Sequence, residues 1–411
     1  MANVIPLGGK SASIPGLNTV DEIVADLKAG RMVIIIDDED RENEGDLIMA
    51  AERATPEAVA FMIRHTSGII CVPMQEERLA RLDLPQMVQA NSESHRTAFT
   101  VSVDYRFGTT TGVSSGDRAA TIRALADPTA TAQQFARPGH IFPLRPRKGG
   151  VLVRAGHTEA AVDLCRLAGL QPVGVLCEVM NDDGTMARRP ELEAFAKRHS
   201  LKMGTIADLI RYRLRNERSI ERISEQTVQT ELGEFRLYAY EDRVNNDVHL
   251  ALARGRLDGP VVPLVRVHVA ETVRDLLGVR GNSRAWTLRA AMSRVSQSGN
   301  GVVVILRDHE SPRDLADAVK ALASSGVSAA ATGTVGAAAS NGSAAGSGTL
   351  ASTAVPEPRQ EVREVLRTYG VGAQILKDLG VRRMRVLSAP KQIHGISAFD
   401  LEIEGYVGEE S

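Results

Sequence analysis

Cysteine is scarce in this 411-residue sequence: Cys71, Cys165 and Cys177 are widely spaced, none belongs to a C-x-x-C pair, and no cysteine follows Cys177. Three scattered thiols exclude a disulfide framework and point to a reducing cytoplasm. Net charge is also missing, since 49 basic residues nearly balance 51 acidic ones for a formal charge of -2. Neither nucleic acid nor an anionic membrane is asked for as a partner by that balance. No apolar run approaches the length of a membrane span, and the stretch Met1 to Gly16 lacks the charged region and apolar core of a leader. The expectation is a soluble cytoplasmic protein, and its length points to two domains.

What is present in concentration is carboxylate. Ile34-Ile35-Ile36-Asp37-Asp38-Glu39-Asp40-Arg41-Glu42-Asn43-Glu44-Gly45-Asp46-Leu47-Ile48 sets an acidic cluster between two apolar runs, the first of which, Met32 to Ile36, reads as a buried strand. Carboxylates so crowded raise one another's pKa unless a cation sits among them, and a hard divalent ion is the natural one. Arg41 adds a fixed guanidinium suited to a sugar oxygen or phosphate. Composition alone favours a solvated loop here, because most charge runs are no more than that. Segments further along reverse the order.

Residues Thr19 to Gly30 read as a helix, and Thr55-Pro56 opens another that Gly68 ends. Ala98 to Val103 alternates like a half-buried strand, Ser114 to Asp117 opens a helix, and polar Asn91 to Thr97 reads as a mobile lid. In Arg154-Ala155-Gly156-His157-Thr158-Glu159, Thr158 is the expected N-cap of a helix closed by Gly169. A helix start with an arginine beside it is an anion site, with phosphate the natural guest, although an ordinary capped helix has the same look. His157 at its mouth is a candidate metal ligand or acid/base group. Glu178 is the single charge in the strand Val173 to Met180; if buried it suits a general base. A basic helix from about Ile206 to Arg222 reads as the connector between domains 1-222 and 223-411.

Three segments together carry a resemblance: the acidic run Asp37 to Asp46, Arg137-Pro138-Gly139-His140-Ile141-Phe142-Pro143-Leu144, and Arg154 to Ala160. With Thr110-Thr111-Gly112-Val113-Ser114 between them, they resemble the 3,4-dihydroxy-2-butanone 4-phosphate synthase family of riboflavin biosynthesis, from about Leu17 to Arg218. The resemblance implies a mixed α/β sandwich domain and a lyase that turns ribulose 5-phosphate into 3,4-dihydroxy-2-butanone 4-phosphate and formate. It also implies magnesium or manganese, two ions per site, and a homodimer with its sites near the subunit interface. Carried over position by position, Glu42 and His157 match the metal ligands. Arg41, Glu42, Asp46, Arg154, Ala155, Gly156, His157, Thr158 and Glu178 match substrate contacts, and Asp46, His140 and Glu178 become the catalytic candidates.

The second half resembles GTP cyclohydrolase II, an α/β domain, through Gly233-Glu234-Phe235-Arg236, Leu264-Val265-Arg266-Val267-His268 and Tyr369 to Leu376. That family holds zinc with three cysteines, and the matching positions here are Glu271, Asn282 and Arg284, so no zinc is expected. Arg367 matches the family's arginine nucleophile, but Val365 stands where it has an acidic neighbour. The Ala/Gly/Ser-rich stretch 323-355 is expected to be a mobile loop. The leading expectation is a synthase with a catalytically silent second domain. A bifunctional enzyme acting on GTP as well, or a scaffolding protein, are the alternatives.

Overall fold

A computed structural model describes residues 16-39, 41-244, 247-279, 286-307, 312-324, 361-388 and 399-408. The chain divides into two compact units: Met1-Ser219 with Val365-Gly370, and Ile220-Glu364 with Val371-Ser411. Each is built on its own seven-stranded mixed sheet with helices against it.

In the first unit the sheet order is β4-β5-β3-β6-β2-β1-β7, with β1 Val33-Ile36, β2 Gly45-Ala50, β3 Cys71-Pro73, β4 Val103-Tyr105, β5 Phe135-Leu144, β6 Gly174-Glu178 and β7 Lys202-Thr205. Every residue of β1 and β2 is buried, so both faces of the sheet centre are covered, which explains why β1 reads as a continuous apolar run instead of alternating. The helices α1 Val20-Lys28, α5 His157-Leu167 and α7 Ile206-Asn216 pack against one another, whereas α6 Arg189-His199 lies on β1 and β7. Gly45 lets α6 come this close, since a Cβ there would stand 2.5 Å from Leu192 Cδ1. Successive side chains of a strand point to opposite faces, so Asp46, next to Gly45, points away from α6. It meets the start of α5 instead, near His157.

Thr19 caps α1 in a reciprocal capping box with Glu22, Thr55 caps α2 Pro56-His65, and Ser114 caps α4 Ser115-Ala126. Two expectations need correction. Alternation over Ala98 to Val103 does not make a strand: only isolated bridges at Phe99 and Thr100 occur there, and β4 begins at Val103. The basic helix stops at Asn216, not Arg222. Its arginines have separate tasks: Arg213 is buried against Asp163 and Glu217, while Arg222 lies in a strand, bonded to Asp378 with its guanidinium over the Tyr238 ring.

The second unit contains β8 Ile220-Thr230, β9 Gly233-Asp242, β10 Asp247-Arg254, β11 Leu264-Val269, β12 Gly301-Leu306, β13 Arg383-Leu387 and β14 Glu402-Val407, ordered β14-β13-β11-β12-β10-β9-β8. Strand alternation divides its core. Val302, Val304 and Tyr240 pack with Ile375 and Leu376 of the helix Glu361-Asp378, and Val303 packs with Ala291, Val295 and Trp286 on the other face. The boundary expected between residues 222 and 223 lies inside β8. The Ala/Gly/Ser stretch, apart from its first residues, which end the helix Pro312-Ser324, lies outside the described residues, as do Asn282, Arg284 and the side chains of Val365 and Arg367.

Candidate active site

The site is built where the β1-β2 turn meets the N-terminus of α5. Asp37, buried at the end of β1, holds the acidic turn in shape: its Oδ1 accepts the backbone N–H of Glu44 at 2.8 Å, and its Oδ2 accepts that of Glu42 at 3.1 Å. Arg41 Nη1 bridges Asp37 Oδ2 at 2.9 Å and Glu42 Oε2 at 2.8 Å. The crowding is thus relieved in part by backbone donors and one guanidinium, which leaves Glu42 turned toward α5.

His157 stands opposite, only 6% exposed. Its Nε2 lies 3.1 Å from the carbonyl oxygen of Ile35, and since a carbonyl only accepts, Nε2 carries the hydrogen. Nδ1 then faces Glu42 Oε2 at 3.8 Å and Asp46 Oδ1 at 3.6 Å. Burial works against charge on this imidazole, but the Asp46, Glu42 and Asp37 carboxylates outweigh it and raise its pKa to about 9. Glu42 shows the converse: burial opposes its charge, yet His157, Arg41 and His95 hold it down at about 2. Asp46, 2% exposed, is pushed up to about 7, chiefly by burial and then by Glu178 and Glu42, with His157 opposing. Among the described residues its buried Oδ1 has no hydrogen-bond partner. Glu178 is the register partner of Asp46 across β2 and β6, about 5 Å away between Cα atoms.

These residues suit a divalent cation. Among the described residues, Asp37, Glu42 and His157 form a group whose ligand atoms lie within 4.8 Å of one another. Asp37 spends both oxygens on Arg41 and two backbone N–H groups, whereas Glu42 shares only Oε2 with Arg41, so Glu42 and, once its proton leaves, the Nδ1 of His157 are the groups that would bind. Fixing a histidine tautomer through a carbonyl on its far nitrogen is a recurrent device at metal centres.

Helix α5 begins at His157 with Gly156 as its N-cap, which corrects the expectation of Thr158 as cap; Thr158 lies in the first helical turn. A side chain at Gly156 would collide with Arg154 Nη1 and approach Glu159 Oε2 to 2.8 Å, so glycine is what lets Arg154 fold over the helix start. Arg154 Nη1 binds Glu159 Oε2 at 2.8 Å, and Nη2 binds the carbonyl of His95 at 3.2 Å. Asn91 to Thr97, expected to be mobile, is fastened within itself: Glu93 accepts the N–H groups of His95 and Thr97, and Asn91 Nδ2 donates to the Thr97 carbonyl. It places His95 Nδ1 3.7 Å from Glu42 Oε1. Arg154 is therefore a clasp between loop and helix as well as a candidate phosphate partner. Arg154→Ala is expected to raise KM for a phosphorylated substrate, and also to cost about 3–5 kcal/mol in a denaturant titration, since Glu159, only 1% exposed, loses its ionic partner. Unchanged stability would show that Glu159 does not depend on the clasp.

The structure brings Arg41, Glu42, Asp46, His157 and Glu178 together, with Arg154, Ala155, Gly156 and Thr158 at the adjoining helix start. His140 is set apart. It lies on β5, with β3 and β6 between it and β2, about 14 Å from Asp46 at three strand spacings. Sequence reasoning did not single out Asp37, His95, Asp104 or Glu159. For the first two the acidic run and the polar loop were visible signals; Asp104 reaches His140 only through strand pairing.

Comparison with known proteins bears on both units. The 3,4-dihydroxy-2-butanone 4-phosphate synthase family profile matches residues 21–212, and the GTP cyclohydrolase II profile residues 221–408. A 3,4-dihydroxy-2-butanone 4-phosphate synthase of Pseudomonas aeruginosa is 50% identical over 394 residues, covering 96% of this chain and 100% of its own. A bifunctional riboflavin biosynthesis protein of Arabidopsis thaliana chloroplasts is 44% identical over 398 residues, 96% of this chain and 69% of its own. Among solved structures, a two-domain 3,4-dihydroxy-2-butanone 4-phosphate synthase from A. baumannii superimposes with a TM-score of 0.75 at 41% identity, covering 95% of this chain and 100% of that one.

Proposed function

Because this chain belongs to the 3,4-dihydroxy-2-butanone 4-phosphate synthase family, enzymes of riboflavin biosynthesis, we propose that the cluster around Asp46 is where it converts ribulose 5-phosphate to 3,4-dihydroxy-2-butanone 4-phosphate and formate. The observation that carries the reading is the state of Asp46: a buried carboxylate with one oxygen unpartnered among the described residues and a pKa raised to about 7, 3.6 Å from the His157 nitrogen that a cation would take over once its proton leaves. A base of that strength works near neutral pH, where it is both available and able to take a proton.

In this reading Asp46 removes the proton from the carbon next to the substrate ketone. Glu42 and His157 would hold a magnesium or manganese ion, which would supply positive charge to stabilise the developing oxygen anion. Arg41, bound to Asp37 and Glu42, presents its guanidinium edge to a sugar oxygen, and the start of α5 with Arg154 receives the phosphate. Glu178, beside Asp46, is a second acid/base group for the later dehydration and skeletal shift. His140, an acid/base candidate as well, lies too far from Asp46 within one chain for the two to exchange a proton directly. A homodimer in a cytoplasmic setting is part of the same reading, and light scattering on the purified protein measures the first.

Assay of formate release from ribulose 5-phosphate is the test. Chelation should abolish release, and either magnesium or manganese should restore it, because a hard carboxylate and one imidazole accept both ions. Activity that survives in fully metal-free protein would remove Glu42 and His157 from the reaction. Cation binding should also release about one proton at neutral pH, the proton that His157 carries in the metal-free state. Because that pKa is raised to about 9, the release should fade as pH climbs past 9, where the ring is already neutral. Calorimetric titration in two buffers of different ionisation heat reads this number, and release of no proton at pH 7 would contradict binding at Nδ1.

A further inference from the structure

We propose that Asp104 is a positioning residue for His140, fixing which ring nitrogen carries the proton; this rests on the reading of His140 as an acid/base group. Asp104 lies on β4 where the pairing with β5 shifts register between Val103 and Asp104. Irregularities of this kind re-aim a side chain. Here both carboxylate oxygens reach one residue: Oδ1 accepts the backbone N–H of His140 at 2.9 Å, and Oδ2 meets its Nδ1 at 2.7 Å. A carboxylate only accepts, so Nδ1 carries a hydrogen, and the lone pair of the neutral ring lies on Nε2. With His140 48% exposed, the ring is accessible while its Nδ1 edge is held.

Two glycines make the pair possible. A side chain on Gly139 would collide with the backbone of Val103, so β5 approaches β4 closely only because that side chain is missing. Gly112, at φ +83°, covers the pair: a Cβ there would overlap Asp104 Oδ2 and stand 2.8 Å from His140 Nδ1. The covering turn is itself tied down, with the Gly112 N–H at 3.0 Å and the Thr110 hydroxyl at 2.8 Å from Asp117 Oδ2. A histidine half in solvent needs none of this for packing. The arrangement suits an imidazole that must offer Nε2 in a set direction and in one tautomer.

Asp104→Asn tests this with an outcome that geometry dictates. The backbone N–H of His140 can only donate, so the amide oxygen stays on it and the NH2 turns to Nδ1, which must then accept. The proton moves to Nε2, and the site presents a donor where it presented an acceptor. Long-range 1H–15N spectra of the full-length protein, labelled at its nine histidines, read this directly, the His140 signals being those lost in His140→Gln. The native protein should show the Nδ1–H pattern, and Asp104→Asn the Nε2–H pattern. Turnover should fall about 10²–10⁴-fold with KM for ribulose 5-phosphate nearly unchanged. An Nε2–H tautomer in the native protein overturns the proposal without any variant being made, as does a variant spectrum identical to the native one. Should the tautomer invert while His140→Gln keeps full turnover, Asp104 still positions the ring, and it is the acid/base reading of His140 that fails.

Discussion

Formate release from ribulose 5-phosphate is expected to drop by about 10²–10⁴-fold in Asp46→Asn, the range a positioned general base contributes, with the fold retained. The substitution keeps the shape of the side chain on β2 and removes its charge together with its ability to take a proton. Stability supplies an independent check. The Asp46 pKa is raised from 3.8 to about 7, so the unfolded chain gives up this proton first and the metal-free native protein loses stability as pH rises between those values. Asparagine does not titrate, so the variant should lose less over the same interval. Denaturant midpoints at pH 4.5 and 7 measure the difference. A variant with near-native turnover would move the base elsewhere, Glu178 being the nearest alternative.

The second large effect is an absence. Hydrolytic opening of a guanine ring by a zinc enzyme needs a tetrahedral site with an open position for water. The sequence has no cysteine after Cys177, and Glu271 stands at one of the three positions where the related family has a zinc thiolate. Around Glu271 the second unit instead pairs His268 Nε2 with Asp275 Oδ2 at 2.7 Å, and the Glu271 N–H donates to the same oxygen. We therefore expect purified protein to contain no stoichiometric zinc and to release no formate from GTP. A chain ending after Ser219 should keep its synthase activity provided that it still dimerises. Formate from GTP that vanishes on removal of residues 220-411 would establish a second activity and a different set of metal ligands.

The centre of the fold was legible because burial there is extreme. Ile34 to Ile36 is apolar on both faces, Thr19, Thr55 and Ser114 are strong caps, and each signals its element without help from the rest of the chain. The errors fall where long-range contacts override local preference. Alternation over Ala98 to Val103 suggests a strand, yet most of that segment has no ladder partner. The arginines from 211 to 222 look alike in sequence and differ wholly in surroundings, since Arg213 is buried by Asp163, fifty positions away, and Arg222 belongs to a strand. The site divides in the same way. Glu42, Asp46 and His157 stood out by residue type and motif, whereas Asp37 as the keeper of the turn and Asp104 as the partner of His140 depend on backbone donors and strand registers that no spacing reveals.

Asp46 and the carbonyl that orients His157 belong to β1 and β2, whose residues are all buried, while Glu42, Arg41 and His95 sit on turns outside the strands. Backbone at a sheet centre opens only with the whole unit, and turns held by a few side-chain bonds open at far lower cost. The floor and the rim of the site therefore fail in sequence under heat or denaturant. The rim goes first, leaving a chain that is still folded and already inactive, and one that regains function on cooling without having to refold.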